Sequence, residues 1–145
     1  MVIRFIPEIQ STRTQITIAA FDALNAKKYD LAIQKADAVI NENSGGAALD
    51  QERLAHNATP QPPTGKVSDE QKDQIFSHGL LNDVSACYYI KAESLEHLNR
   101  INEALSTYAQ TTNLTYARVY DPSDKTFWSP SEGAQGKLRQ LQPTQ

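Results

Sequence analysis

The chain has 145 residues, a formal net charge of −3 and a single cysteine. A chain of this length can bury the core of one domain without metal ions, and one cysteine excludes an intramolecular disulfide. Acidic and basic residues are interspersed, so neither the basic patch of a nucleic-acid binder nor a charged interaction tail is expected.

Residues 1–6 are too few for the apolar core of a signal peptide, and Pro7 and Glu8 follow them directly. No apolar run approaches the ~18 residues of a membrane-spanning helix. We therefore expect a cytoplasmic protein without membrane insertion. Export stays open as an alternative if the natural N-terminus lies further upstream.

Residues 11–43 predict a first helical hairpin. Their apolar side chains recur at spacings of three and four, the period of an amphipathic helix. The pattern is interrupted at Asn25-Ala26-Lys27-Lys28, which is long enough for a tight turn between helices. The predicted apolar stripe comprises Ile16, Ala19, Ala20, Ala23, Leu24, Tyr29, Ala32, Ile33, Ala36, Val39 and Ile40.

Residues 44–67 predict a connection. Gly45-Gly46 opens it, a short helix over 47–56 follows, and the prolines between Pro60 and Gly65 predict a loop because proline lacks a backbone donor.

Residues 68–113 predict a second hairpin. Ser68 and Gln71 form a capping-box pattern at its start. An apolar stripe from Ile75 to Leu98 predicts one long helix, unless Gly79 divides it. A turn at residues 99–102 precedes a helix carrying Ala104, Leu105, Tyr108 and Ala109.

Residues 114–145 predict an aromatic tail and a capping helix. Residues 116–127 are expected to be irregular, with a turn at residues 121–124. Ser129, Pro130 and Glu132 suit the cap, first and third positions of a final helix. That helix is expected to reach about Leu141, and residues 142–145 to fray.

The two hairpins can be aligned with each other, Ala20 on Ala92 and Ala32 on Ala104, at an offset of about two tetratricopeptide periods of ~34 residues each. Residues 20–40 and 88–108 each resemble a tetratricopeptide repeat, although Ile16 stands where the family favours tryptophan. The resemblance implies an all-α fold, in which tetratricopeptide-like hairpins form a fragment of an α-α superhelix closed by a C-terminal helix.

The resemblance also implies a binding groove, because the first helix of each hairpin lines a concave, peptide-binding surface in that family. Carried over by position, the groove is expected to present Thr17, Phe21, Leu24 and Asn25 from the first hairpin and Tyr89, Glu93, Glu96 and His97 from the second. Its mixed aromatic and acidic character favours a basic or apolar peptide. Thr17 and Tyr89 replace the lysine that some family members use to bind a C-terminal carboxylate.

The tail holds four of the eleven aromatic residues. An aromatic side chain buries a large area at little cost in entropy, so such a stretch suits either a cap over the hairpins or a contact with a partner. Two roles are therefore possible for this aromatic set, a cap over the hairpins or a contact with a partner, and we favour the cap. The set comprises Tyr116, Tyr120, Phe127 and Trp128.

No residue pattern indicates catalysis, a cofactor or a metal ion. Cys87 and His97 are ten residues apart on one predicted helix, which places them on different faces and about 15 Å apart along the axis. His56, His78 and His97 lack the spacing of metal ligands.

The sequence therefore favours a non-enzymatic protein–protein interaction module: an adaptor, co-chaperone or assembly factor that binds a peptide or protein. A homo-oligomeric structural protein is the alternative. A small enzyme with a site assembled across helices is a third.

Overall fold

A computed structural model describes residues 11–142, which fold into six α-helices and two short β-strands. These are α1 (Thr12–Asn25), α2 (Tyr29–His56), α3 (Asp69–Phe76), α4 (Gly79–His97), α5 (Ile101–Thr112), β1 (Val119–Asp121), β2 (Thr126–Trp128) and α6 (Pro130–Leu141). The predicted all-α class is confirmed. The expectations for residues 1–10 and for fraying of 143–145 lie outside this range.

The long helices pack in order along the chain. α2 contacts α1 and α4, while α5 contacts α4 and α6. α4 also touches α1 and α6, so α4 contacts every other long helix of the fold. No helix within residues 11–142 combines the length and the apolar character needed to cross a membrane.

The core consists of two clusters joined by α4. One lies among α1, α2, the first half of α4 and residues 114–117, and the other among the second half of α4, α5 and α6. Ala20, Ala32, Ala92 and Ala104 are fully buried in these clusters. Small residues at such positions let paired helices approach closely.

Both helical hairpins turn with the same backbone geometry. Lys27 follows α1 and Asn99 follows α4, each with φ of 61°. The next N–H in each turn reaches back five residues, from Lys28 to the Ala23 carbonyl at 2.8 Å and from Arg100 to Leu95 at 2.9 Å. This is a Schellman-type helix end, in which a left-handed residue lets the last carbonyls find donors.

The boundary expected after residue 43 is wrong, because α2 continues without interruption through Gly45 and Gly46 to His56. A glycine inside a helix costs about 1 kcal/mol relative to alanine. Packing offsets this cost: Ala47 is fully buried, and a Cβ on Gly46 would lie 3.5 Å from Leu80 of α4.

The alternative in which the long helix divides near Gly79 is confirmed. α3 begins with the predicted capping box, in which the Gln71 N–H donates to Ser68 Oγ and Gln71 Oε1 accepts from the Ser68 N–H. Side chains then bind its last carbonyls, Ser77 Oγ donating to Gln74 and Asn82 Nδ2 to Ile75. Gly79 begins α4.

The tail is more regular than expected. β1 and β2 form an antiparallel hairpin with Tyr120 opposite Phe127, because Val119, Tyr120, Thr126, Phe127 and Trp128 are residue types that favour strands. The predicted turn is confirmed, with the Lys125 N–H bonded to the Asp121 carbonyl at 2.9 Å. The predicted helix start is also confirmed: the Glu132 N–H donates to Ser129 Oγ at the beginning of α6.

Candidate functional site

A cleft of about 1040 Å³ lies between α1 and the β-hairpin, with α4 at its base. Its α1 wall runs the length of that helix, from Ser11 to Asn25. Residues of α4 form the floor, and β1 with the end of β2 forms the opposite wall. The lining residues include Arg13, Thr14, Thr17, Ile18, Phe21, Asp22, Asn25, Phe76, Asn82, Asp83, Arg118, Tyr120, Asp121, Pro122 and Trp128.

The walls of the cleft expose large apolar side chains. Ile18 is 42% exposed and Phe76 is 53% exposed, while Phe21 and Trp128 are half-buried. Exposed apolar side chains that line one cleft are typical of binding sites, whereas exposed apolar residues scattered singly need no explanation. The walls of the cleft are therefore partly apolar.

The floor is held to α1 by a polar network around Asp83. Its carboxylate accepts from Arg13 Nε and from Thr14 Oγ1, both at 2.8 Å. One turn further along, Thr17 Oγ1 lies 3.5 Å from Cys87 Sγ. These contacts fix one wall of the cleft against its floor.

Two carboxylates in the cleft have no basic partner among the described residues. Asp22 is exposed on α1, and Asp121 is half-exposed at the end of β1 on the opposite wall. Hydrogen bonds from Ser123 lower the pKa of Asp121, so this side chain stays ionised at neutral pH. The two walls therefore present negative charge.

Arg118 ties the hairpin to the proline-rich loop. It is 6% exposed, and its guanidinium donates only to neutral oxygens: the carbonyls of Pro62, Thr115 and Ala117, and Gln61 Oε1. Burial lowers its pKa, and all five of its N–H donors are used. Arg118 is thus a structural clamp with no donor left for a ligand.

The cleft brings together three of the four residues of the first predicted groove set and none of the second. Thr17, Phe21 and Asn25 line it, whereas Leu24 is buried in the core of the first hairpin. The second set lies outside the cleft, although Tyr89 touches its Trp128 wall at a ring-centroid distance of 5.1 Å.

The other side chains of the second set contact neighbouring helices. Glu96 accepts from Tyr108 Oη at 2.8 Å and from Lys137 Nζ of α6 at 3.3 Å. His97 is exposed and stacks on Tyr29 at 4.7 Å, and Glu93 is half-buried near Tyr89. The β-hairpin and α6 therefore contact Tyr89 and Glu96 of this set, whereas His97 is exposed.

The four aromatic residues of the tail contact the helices and the loop. Trp128 packs edge-on against Tyr89, and Tyr120 packs against Phe127 and Phe76 of α3. Phe127 and Tyr116 are buried, and Tyr116 Oη donates to the Thr59 carbonyl. Tyr120 and Trp128 also line the cleft.

Sequence reasoning missed Ile18, Asp22, Phe76 and the hairpin residues Arg118 and Asp121. Arg118 carried a usable signal, since a lone charge between Tyr116 and Tyr120 in an apolar-aromatic stretch indicates a paired, buried group. The others carried none, because only the placement of the hairpin over α1 makes them neighbours.

The single cysteine and the possible metal ligands can be located within residues 11–142. Cys87 is fully buried, and burial raises its pKa to about 12. Residues 11–142 contain no group of three or more potential metal ligands.

Comparison with protein-family models, curated proteins and solved structures finds no match to this chain.

Proposed function

We propose that this protein is a peptide-binding module that acts without catalysis, as an adaptor, co-chaperone or assembly factor in the cytoplasm. The observation that carries the proposal is the cleft between α1 and the β-hairpin, in which Ile18 and Phe76 stay 42% and 53% exposed. A volume of about 1040 Å³ suits several side chains of a bound segment.

The dimensions of the cleft support a peptide rather than a small molecule. Its α1 wall has 14 helical residues, or about 21 Å at ~1.5 Å per residue. An extended peptide covers that distance in about six residues at ~3.3 Å each.

The tetratricopeptide resemblance is supported by the matching helix ends at Lys27 and Asn99 and by the four buried alanines. The packing order of α1, α2, α4 and α5 is the order expected for two stacked hairpins. In this proposal the cleft is a shortened form of the family's groove, because the β-hairpin and α6 cover the remainder.

Selection from an unbiased peptide library displayed on phage tests the proposal. We expect the protein to enrich peptides that no longer bind the Ile18→Asp variant, because a charge in the α1 wall opposes apolar contact. Leu49→Asp is the matched control, since Leu49 is 64% exposed on α2 outside the cleft.

Enrichment of no peptide, or of peptides that bind the Ile18→Asp variant as well as the wild type, contradicts the proposed function. Circular dichroism of both variants checks that each retains its helical structure.

A further inference from the structure

The strand β1 has one paired edge and one free edge. Phe127 of β2 lies opposite Tyr120 of β1. On the other edge of β2, the Phe127 N–H donates to the Gly65 carbonyl at 2.9 Å, and the Phe127 carbonyl accepts from the Gly65 N–H at 2.7 Å. In an antiparallel ladder such a pair is a non-hydrogen-bonded one, so Tyr120 directs its own N–H and carbonyl away from β2. No residue within 11–142 bonds to either group.

This free edge faces the cleft. Arg118 lies two residues before Tyr120, and its N–H donates to Asn82 Oδ1 of the cleft floor at 2.9 Å. Alternate residues of an extended segment direct their backbone groups to the same edge, so those of Tyr120 point the same way. Pro122, the next position on this edge, has no N–H. The edge is therefore open at one residue.

A single residue of another segment already pairs with the opposite edge of this hairpin. There Gly65 of the proline-rich loop forms two backbone hydrogen bonds with Phe127, and Arg118 holds the same loop through Pro62 and Gln61. Tyr120 offers the same donor and acceptor pair to a segment entering the cleft. Addition of an extended peptide to a free strand edge is a general mode of recognition, in which the backbone supplies affinity and side-chain pockets supply specificity.

The charge and apolar surface beside this edge indicate which segment fits. Asp22 and Asp121 place two carboxylates without basic partners on opposite walls, and Ile18 and Phe76 expose apolar surface between them. An acidic peptide is repelled here, and a wholly apolar one leaves both carboxylates unpaired.

We propose that the cleft binds an extended segment of a partner protein, with an aliphatic residue flanked by lysine or arginine, whose backbone pairs with the N–H and carbonyl of Tyr120. The inference rests on the proposed function, since it specifies the occupant of the same cleft.

The test uses three synthetic peptides with acetylated and amidated ends. The probe is Lys-Val-Lys-Ile-Lys-Val-Lys; the second peptide carries an N-methyl group on its central isoleucine, and the third replaces every lysine by glutamate. Binding to the ¹⁵N-labelled full chain is followed by NMR, together with hydrogen exchange of the Tyr120 amide.

We expect the probe to bind and to slow exchange of the Tyr120 amide, which has no acceptor among residues 11–142. N-methylation removes the donor to the Tyr120 carbonyl and is expected to weaken binding about tenfold. The glutamate peptide is expected not to bind. Asp22→Asn should weaken binding of the probe, whereas Glu52→Gln, an exposed change on α2, should leave it unchanged.

The remaining outcomes overturn the inference. Probe binding that leaves the Tyr120 amide unprotected, or that N-methylation does not affect, excludes strand pairing. Absence of probe binding excludes the proposed chemistry. A Tyr120 amide already protected without peptide shows that the chain itself, or a second copy if protection depends on concentration, occupies the edge. Each of these outcomes contradicts strand pairing but leaves the proposed function intact, provided that library peptides bind through Ile18. Only failure of the phage selection would contradict both the proposed function and this inference.

Discussion

At the scale of single residues, Tyr89 links the candidate site to the rest of the fold. Its ring packs edge-on against Trp128 of the cleft wall at 5.1 Å and against Tyr108 of α5 at 5.6 Å. Burial raises the pKa of Tyr89 to about 12, and the nearby carboxylates of Glu93 and Glu96 add to the effect. The side chain is therefore held neutral in the folded protein.

This shift predicts a loss of stability in alkali. The unfolded chain releases the Tyr89 proton near pH 10, whereas the folded chain holds it to about pH 12. The stability contributed by the raised pKa is thus fully present below pH 10 and is lost as the pH rises from 10 to 12. We expect Tyr89→Phe to lose less free energy of unfolding over this range than the wild type.

Urea denaturation at pH values from 7 to 12 measures the difference. Between pH 7 and 9 the two curves should run parallel, which is the internal control, because the substitution removes only a group that titrates at higher pH. Identical falls above pH 10 would show that Tyr89 ionises freely in the folded state.

At the scale of elements, α2 shows how packing overrides local preference. Gly45 lies in the middle of this helix, and a Cβ added there meets no atom within 4 Å. We expect Gly45→Ala to raise the free energy of unfolding by about 0.5–1 kcal/mol, because alanine loses less backbone entropy on forming a helix. Urea denaturation at neutral pH is the measurement.

Gly65→Ala is the matched control. It also has open space around its Cβ position, but its φ of +80° is one that residues with a side chain rarely adopt. This variant should lose about 1 kcal/mol. Destabilisation by Gly45→Ala would instead support the helix break that the Gly45-Gly46 pair suggests.

The elements that could be predicted are those set by local signals. The capping residues Ser68 and Ser129 and the polar turns at Lys27 and Asn99 act within a few residues, and each lies at the end of a helix as expected. The continuity of α2 depends on burial of Ala47 against other helices, and the β-hairpin depends on Gly65 from a distant loop. No local pattern contains either contact.

At the scale of the whole molecule, only part of the candidate site could be predicted from the sequence. Thr17, Phe21 and Asn25 line the cleft because the position of α1 beside α4 follows from the hairpin pattern. Tyr89 and Glu96 of α4 do not line the cleft, because the β-hairpin contacts Tyr89 and α6 contacts Glu96. The location of the tail is set by long-range bonds, such as that from Arg118 N–H to Asn82, which sequence spacing does not encode.

The position of α6 also affects self-association. Two stacked hairpins without a third leave one helical face uncovered. α6 covers the α5 side: Ala134 is fully buried, Ser131 Oγ donates to the Thr112 carbonyl at 2.9 Å, and Lys137 pairs with Glu96. We therefore expect the protein to be a monomer whose mass, measured by light scattering after size exclusion, does not change with concentration.

Displacing α6 should reverse this behaviour. Ala134→Arg places a long charged side chain where no space exists, so α6 should detach and expose the apolar surface around Tyr108, which then self-associates as concentration rises. Gln135→Arg introduces the same side chain at an exposed neighbour and should leave the protein monomeric. A wild-type protein that is dimeric at every concentration would instead favour the homo-oligomer, because the α6 cap would then be insufficient to close the stack.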